Sequence, residues 1–297
     1  MPIPIPDALT ESADLARTKA QQVRLLPRYL LSSAFAGGYV GVAVVLLVSV
    51  AGPLAASGSA ATKLVQGAVF GVALTLVVFA GAELFTGNVM YMLQGLSART
   101  VRLTQLAAVW VASLVGNLVG SIGFAALVHA GGTLALGGPA GKPGPGEAMV
   151  ASIVKAKNAA TGPQLFWRSV LCNLLVCLAL WMAGRTRSDT AKLAVMWWAL
   201  FAFIASGFEH SVANMTIFGL GVFEGTATWS NLARNLLWTV PGNIVGGGML
   251  VGLAYSWIGR HAQPVTASPE PIPEPAVDAA LAELAVDGPP AELAGRS

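Results

Sequence analysis

Three titratable side chains, Glu83, Glu209 and His210, stand inside runs of residues that are otherwise apolar. A charged group at a bilayer centre costs about 2.5–3.5 kcal/mol on insertion scales, so such residues line cavities or pair with a partner. A glutamate there can cap a broken helix by accepting backbone N–H hydrogen bonds, or it can serve a polar pathway. Imidazole changes charge near neutral pH, so His210 has the chemistry to take or give a proton. Of the three histidines it alone falls inside an apolar run; His129 closes the third run and His261 follows the sixth. Asn117, Asn173 and Asn243 add amides that can bond helix to helix or join a polar network. No nucleophile–base–orienter set can be assembled around Ser211, and no metal triad, so enzyme chemistry is not expected. Cys172 and Cys177 fall five residues apart on one predicted helix, poorly placed for a disulfide and too few for a structural metal; they read as packing residues.

The residues that carry this chemistry recur. Gly81-Ala82-Glu83-Leu84-Phe85-Thr86-Gly87-Asn88 and Gly207-Phe208-Glu209-His210-Ser211-Val212-Ala213-Asn214 both read G-x-E-x-x-x-x-N, 126 positions apart. Gly116-Asn117-Leu118-Val119-Gly120 returns as Gly242-Asn243-Ile244-Val245-Gly246 at the same offset. Two matches in one register point to an internal duplication. Leu84 takes the place of His210 in the first copy, so the halves have diverged where the imidazole stands. Glu, Thr, Gly and Asn are poor material for the middle of a span. The motif therefore predicts a break in each copy, with polar side chains satisfying the freed backbone groups. Exposed N–H groups where a half-helix restarts carry partial positive charge and favour an anion.

The elements that must hold these motifs follow from composition. The chain has 297 residues, 55% hydrophobic and only 10% charged, against about 25% charged in a soluble domain. Apolar residues gather in six runs, roughly 29–51, 64–96, 103–130, 165–184, 193–222 and 235–258, each long enough for a bilayer core. The second and fifth contain the motif. The sequence thus predicts an all-α membrane protein of six transmembrane helices, arranged as two three-helix repeats with broken second and fifth helices. An odd number of spans per half turns the second copy upside down, an inverted repeat whose binding site lies near the midplane. Gly116, Gly120, Gly246, Gly247 and Gly248 are expected to allow close helix contact.

Charge sets the orientation. Arg17, Lys19, Arg24, Arg28, Arg99, Arg102, Arg185, Arg187, Lys192 and Arg260 fall on one side of the predicted spans, and Lys63, Lys142, Lys155, Lys157 and Arg234 on the other. Ten against five puts both termini in the cytoplasm of a multi-pass inner (plasma) membrane protein. Three domains are expected: a cytoplasmic amphipathic segment over 1–28, the six-span unit over 29–260, and a tail over 261–297. Leu9, Ala13, Ala16, Ala20 and Val23 give residues 7–28 an apolar stripe suited to the inner membrane face. The tail holds seven prolines between Pro264 and Pro290, and six acidic residues against one arginine, a composition that favours disorder, with a short helix possible over 276–286. No signal peptide is visible at the N-terminus.

Taken together, Ala82–Asn88, the run Cys172-Asn173-Leu174-Leu175-Val176-Cys177-Leu178-Ala179, Phe208–Met215 and Gly242–Gly247 resemble the formate/nitrite transporter family over about residues 20–260. The resemblance implies an aquaporin-like protomer assembled as a homopentamer, with one pore per protomer and a lipid-blocked central hole. It implies that His210 is the central pore histidine facing Thr86, and that Leu84 and Phe85 belong to the first broken loop. Phe70, Leu74, Val176 and Phe203 would form two hydrophobic constrictions. Lys157, sixteen residues before Asn173, would be the vestibule lysine, with Lys155 as a rival; Glu209, Asn214, Asn173 and Asn243 would support it and the histidine. The long acidic tail departs from compact members.

The implied function is passage of small monovalent anions of weak acids, formate or nitrite first, with hydrosulfide, acetate or lactate as alternatives. A bare anion crossing two greasy constrictions meets a large desolvation penalty, and a neutral acid a much smaller one. A proton delivered at the midpoint, by His210 or by water near it, would let the acid pass. Partners are thus the anion, protons and the bilayer; neither a cofactor, a metal nor a nucleic acid is expected. A neutral-solute pore of the aquaporin type is the competing reading, weakened by the lack of paired Asn-Pro-Ala boxes.

Overall fold

A computed structural model of the chain describes residues 1–138 and 141–261. The tail expected from residue 262 onward, with its possible short helix, lies outside the described residues. Among the described residues every regular element is helical.

The apolar runs become helices because a backbone in lipid must satisfy its N–H and C=O groups within its own segment. α1 (Ile5–Gln22) is followed by α2 (Leu26–Ala56), α3 (Thr62–Phe70) and α4 (Val72–Phe79). After a break come α5 (Phe85–Ser97) and α6 (Leu103–Ala130). α7 (Pro145–Ala159) leads into α8 (Gly162–Gly184) and α9 (Asp189–Ala205). A second break precedes α10 (Ser211–Phe223), which is followed by α11 (Trp229–Asn243), a π-helical segment (Ile244–Leu253) and α12 (Ala254–His261).

Among the described residues five helices are long and apolar enough to cross a membrane: Leu26–Ala56, Thr62–Phe79, Leu103–Ala130, Gly162–Gly184 and Trp229–Arg260. The remaining apolar run, 193–222, is divided between α9 of 17 residues and α10 of 13, so neither piece reaches the length of the others. α6 leaves Leu103, Val111, Val115, Val119 and Leu127 exposed along one side, a stripe suited to lipid or to a neighbouring subunit.

The packing repeats as the motifs do. α2 lies against α6 as α8 lies against α11; α10 rests on α6 as α5 rests on the π-helical segment. α1 does not present its small-residue stripe outward: Ala8, Ala13, Ala16 and Ala20 are buried, and the helix packs on α5 and α12. His129 ends α6 half-exposed and lies 2.9 Å from Glu224, at the end of α10.

Candidate functional site

Both breaks are built by the same local chemistry. α4 ends as the N–H groups of Ala80 and Ala82 bond to the carbonyls of Leu76 and Val77; α9 ends as those of Ser206 and Phe208 bond to Ala202 and Phe203, 126 positions on. The chain then turns through Gly81 and Gly207, each at φ +74. An L-residue with a side chain is strained in that region, which explains glycine at both places. Each α-helix restarts four residues later, with Leu84 and His210 as the N-caps of α5 and α10.

One asparagine fixes each restart. The Asn117 amide accepts the Phe85 N–H at 2.8 Å and donates to the carbonyls of Ser33 at 2.7 Å and Glu83 at 2.9 Å. Asn243 accepts the Ser211 N–H at 2.9 Å and donates to the carbonyls of Ser169 at 2.8 Å and Glu209 at 3.1 Å. Two backbone groups of each break are thereby paired inside an apolar interior, where leaving one unpaired costs about 1–3 kcal/mol, and the third bond ties the break to a carbonyl of α2 or α8.

The two glutamates are also held alike, each by an asparagine five residues on and by a lysine. Glu209 Oε2 accepts from Asn214 Nδ2 and from Lys157 Nζ, both at 2.7 Å. Glu83 accepts from Asn88 Nδ2 at 3.0 Å and from Lys19 Nζ at 2.7 and 2.8 Å, with Tyr29 donating at 3.0 Å. Lys157, and not Lys155, pairs with Glu209 and lines the cavity beside it; Lys155 is exposed. Lys19 and Tyr29 were not singled out in the sequence. The signal for Lys19 is its place beside Ala16 and Ala20 in the small-residue stripe of α1, which reads as an interruption until its partner is seen. Asn235, which accepts from Asn214 at 2.8 Å, was missed as well.

His210 joins the two breaks. Its Nδ1 accepts the Ala213 N–H at 3.1 Å, capping α10, and its Nε2 lies 3.1 Å from Thr86 Oγ1 in the first turn of α5. A backbone N–H can only donate, so Nδ1 bears no hydrogen here. The hydrogen of the neutral ring sits on Nε2 and is given to the Thr86 hydroxyl. Leu84, the equivalent N-cap of α5, makes no side-chain cap. The Thr86 carbonyl accepts from Asn173 Nδ2 at 3.1 Å and from Cys177 Sγ at 3.2 Å. Asn173 Nδ2 also reaches the Asn243 carbonyl at 2.7 Å, so one amide ties α8 to both halves.

Two cavities meet at this histidine. The larger, about 400 Å³, is lined by Lys63, Gln66, Lys157, Arg168, Glu209 and Asn214, with Phe70, Phe203 and His210 among its apolar and ring-bearing residues. The smaller, about 10 Å³, is enclosed by Phe70, Leu74, Leu84, Val176, Phe203 and His210, together with Val40, Ala73 and Leu200. The Phe70 and Phe203 rings meet edge to face at 5.6 Å, and Phe203 stacks on His210 at 5.9 Å. Thus Phe70, Leu74, Leu84, Val176, Phe203 and His210 are brought together around one tight apolar space. Phe85 is buried but lines neither cavity. Asn173 and Asn243 hold the breaks from behind. Among the described residues no group of three or more His, Cys, Asp or Glu could hold a metal ion.

The model of the formate/nitrite transporter family matches residues 7–257. The nitrite transporter NirC of Salmonella typhimurium is 43% identical over 246 residues, 82% of this chain and 86% of that protein. A probable formate transporter of Methanothermobacter thermautotrophicus is 39% identical over 258 residues, 83% of this chain and 94% of that protein. Among solved structures, an FNT family ion channel superimposes with a TM-score of 0.78 at 41% identity, covering 85% of this chain and 98% of that one. A pentameric formate channel with formate bound gives a TM-score of 0.65 at 28% identity, covering 80% and 98%. With a family match over almost all of the described residues, the chain is an integral membrane protein belonging to the formate/nitrite transporter family.

Proposed function

We propose that the chain passes small monovalent anions of weak acids, formate or nitrite first, through a pore that narrows at His210. The observation that carries this reading is the meeting of two broken helices through the His210–Thr86 hydrogen bond, beside an apolar space of only about 10 Å³. A bare anion in such a space loses its hydration without a countercharge, whereas the neutral acid loses far less. Phe70 and Phe203 form the constriction facing the large cavity, and Leu74, Leu84 and Val176 the one beyond it. Phe85 follows Leu84 as part of the same restart.

Proton delivery at the midpoint has two candidate sources, His210 and water. The cap favours water. To give its Nε2 proton and remain neutral, the ring must accept another at Nδ1, where the Ala213 N–H already points. Water in the Lys157 cavity has no such obstacle. His210 and Thr86 then meet the acid as hydrogen-bonding partners, and protonation of the ring is coupled to loss of the α10 cap.

Six spans in two inverted repeats account for the matched hydrogen bonds of the two breaks. The ten-to-five distribution of basic residues supports an orientation with both termini in the cytoplasm and the Lys157 cavity outside. The exposed apolar stripe of α6 and the pentameric solved relative support a homopentamer embedded in the inner membrane. Hydrosulfide, acetate and lactate share the required chemistry and remain alternative cargoes.

Proteoliposomes test the reading. Isosmotic replacement of sucrose by formate or nitrite should give uptake faster than in empty vesicles, rising as the pH falls, with water permeability little changed. Water flux without anion uptake would mean a neutral-solute pore instead.

A further inference from the structure

The Lys157 cavity carries more positive charge than the ion pair at its floor accounts for. Lys157 Nζ lies 2.7 Å from Glu209 Oε2, so the two charges cancel for an anion still several ångströms away. Two further cations line the same cavity, Lys63 on α3 and Arg168 on α8. Both are exposed, and neither has an acidic partner among the described residues. Lys63, Gln66 and Phe70 follow one another at helical spacing along α3, leading from a charge to the ring that narrows the path. Arg168 is anchored at the rim, because its carbonyl accepts the Glu209 N–H at 3.3 Å. With Lys63, Lys157 and Arg168 positive and Glu209 negative, the lining sums to 3 − 1 = +2.

We propose that Arg168 and Lys63, and not Lys157, supply the field that concentrates the anionic cargo at this mouth. They raise the encounter rate of anions with the mouth, while Lys157 neutralises Glu209 and holds the second break. The inference rests on the anion-carrying reading above. A cleft walled by apolar residues with a net charge of one sign raises the local concentration of the opposite ion, and salt removes the effect. The screening length is about 30 Å at 0.01 M ionic strength and falls to roughly 5–6 Å at 0.3 M.

The test is the initial uptake rate of formate and of nitrite, below saturation, by proteoliposomes holding the full chain, at 10 and 300 mM ionic strength. At low salt Arg168→Gln should lower the rate about 2–3-fold and Lys63→Gln by about as much, with Arg168→Glu lower again. At high salt all should fall within about 1.5-fold of wild type. Arg168→Lys should restore the low-salt rate, and saturating rates should be unchanged, so that the loss is in KM and not kcat. Variants equal to wild type at low salt would overturn the inference, as would a loss of the same size at both ionic strengths or confined to kcat. A wild type that moves neither anion faster than empty vesicles sinks the functional reading itself, and this inference with it. A wild type that moves both, with unchanged variants, sinks this inference alone.

Discussion

Lys157→Met removes one half of an ion pair that is nearly closed to water. The Lys157 side chain is 14% exposed and that of Glu209 is 4% exposed. Deleting one partner of a buried pair costs about 3–5 kcal/mol, because the other charge stays behind without its counter-ion. Here the carboxylate keeps the Asn214 amide at 2.7 Å, so the loss should be smaller, about 2–3 kcal/mol. Glu209→Gln leaves the ammonium at the edge of a cavity open to water and should cost about 1–2 kcal/mol. Removing both charges in Lys157→Met/Glu209→Gln leaves nothing uncompensated, and the glutamine oxygen still accepts from Asn214. The double variant should therefore lose only about 1 kcal/mol, and a double-mutant cycle should return a coupling of about 2–4 kcal/mol. Thermal unfolding of the purified protein in detergent reads this directly. At about 2–4 °C per kcal/mol, Lys157→Met should melt about 4–12 °C below wild type and the double variant within about 4 °C of it. Single losses that simply add in the double variant would refute the claim that the lysine serves the glutamate.

Asn243→Leu removes three buried hydrogen bonds and should cost about 2–4 kcal/mol, with Asn117→Leu costing a similar amount; unequal melting losses would show that the two breaks are not held alike. His210→Asn keeps an N-cap acceptor for α10 but withdraws the donor to Thr86. Its melting temperature should stay near that of wild type, while uptake falls about tenfold and keeps the pH profile set by the acid itself. A displaced profile would make the ring the proton source. Gly247→Ala would place a methyl group 2.3 Å from Asn173 Nδ2 and 2.4 Å from Cys177 Sγ, forcing both from the Thr86 carbonyl. A stability loss of about 1–3 kcal/mol with a larger loss of uptake is expected, and normal uptake would show that the carbonyl needs no such support.

The breaks were legible because their requirements are local. A left-handed backbone needs glycine, and a restarting helix needs acceptors, so both leave a mark at fixed spacing: Gly81 with Glu83 and Asn88, Gly207 with Glu209 and Asn214. The asparagines of the second shared motif were visible as buried amides, but their role as clamps depends on crossings between helices far apart in sequence. The Lys19–Glu83 pair spans 64 positions and was hidden for the same reason. Lys157 was reached by its distance from Asn173, and only the contact with Glu209 set it apart from Lys155. α1 was legible as an amphipathic helix, yet periodicity cannot say whether an alanine-rich stripe meets lipid or protein. Small residues suit close packing, and the stripe lies on α5 and α12.

Duplication explains the frame, and divergence explains the chemistry placed in it. The bonds that Asn117 and Asn88 make at the first break recur 126 positions on at Asn243 and Asn214, so the backbone geometry is a shared solution. The side chains that meet at the junction are not shared. The first copy reads Leu84 and Thr86 where the second reads His210 and Val212, so polar and apolar residues have changed places between equivalent positions. Each half thus supplies one member of the hydrogen-bonded pair, and the first copy adds Leu84 to the apolar lining. Two histidines would set two rings against each other in a space of about 10 Å³, and two leucines would leave the Thr86 hydroxyl without its ring partner. The exchanged pattern gives a single donor–acceptor contact, 3.1 Å long, inside an otherwise greasy passage. On the proposed reading, that contact offers a neutral acid one hydrogen-bonding place without a hydrated site for an ion.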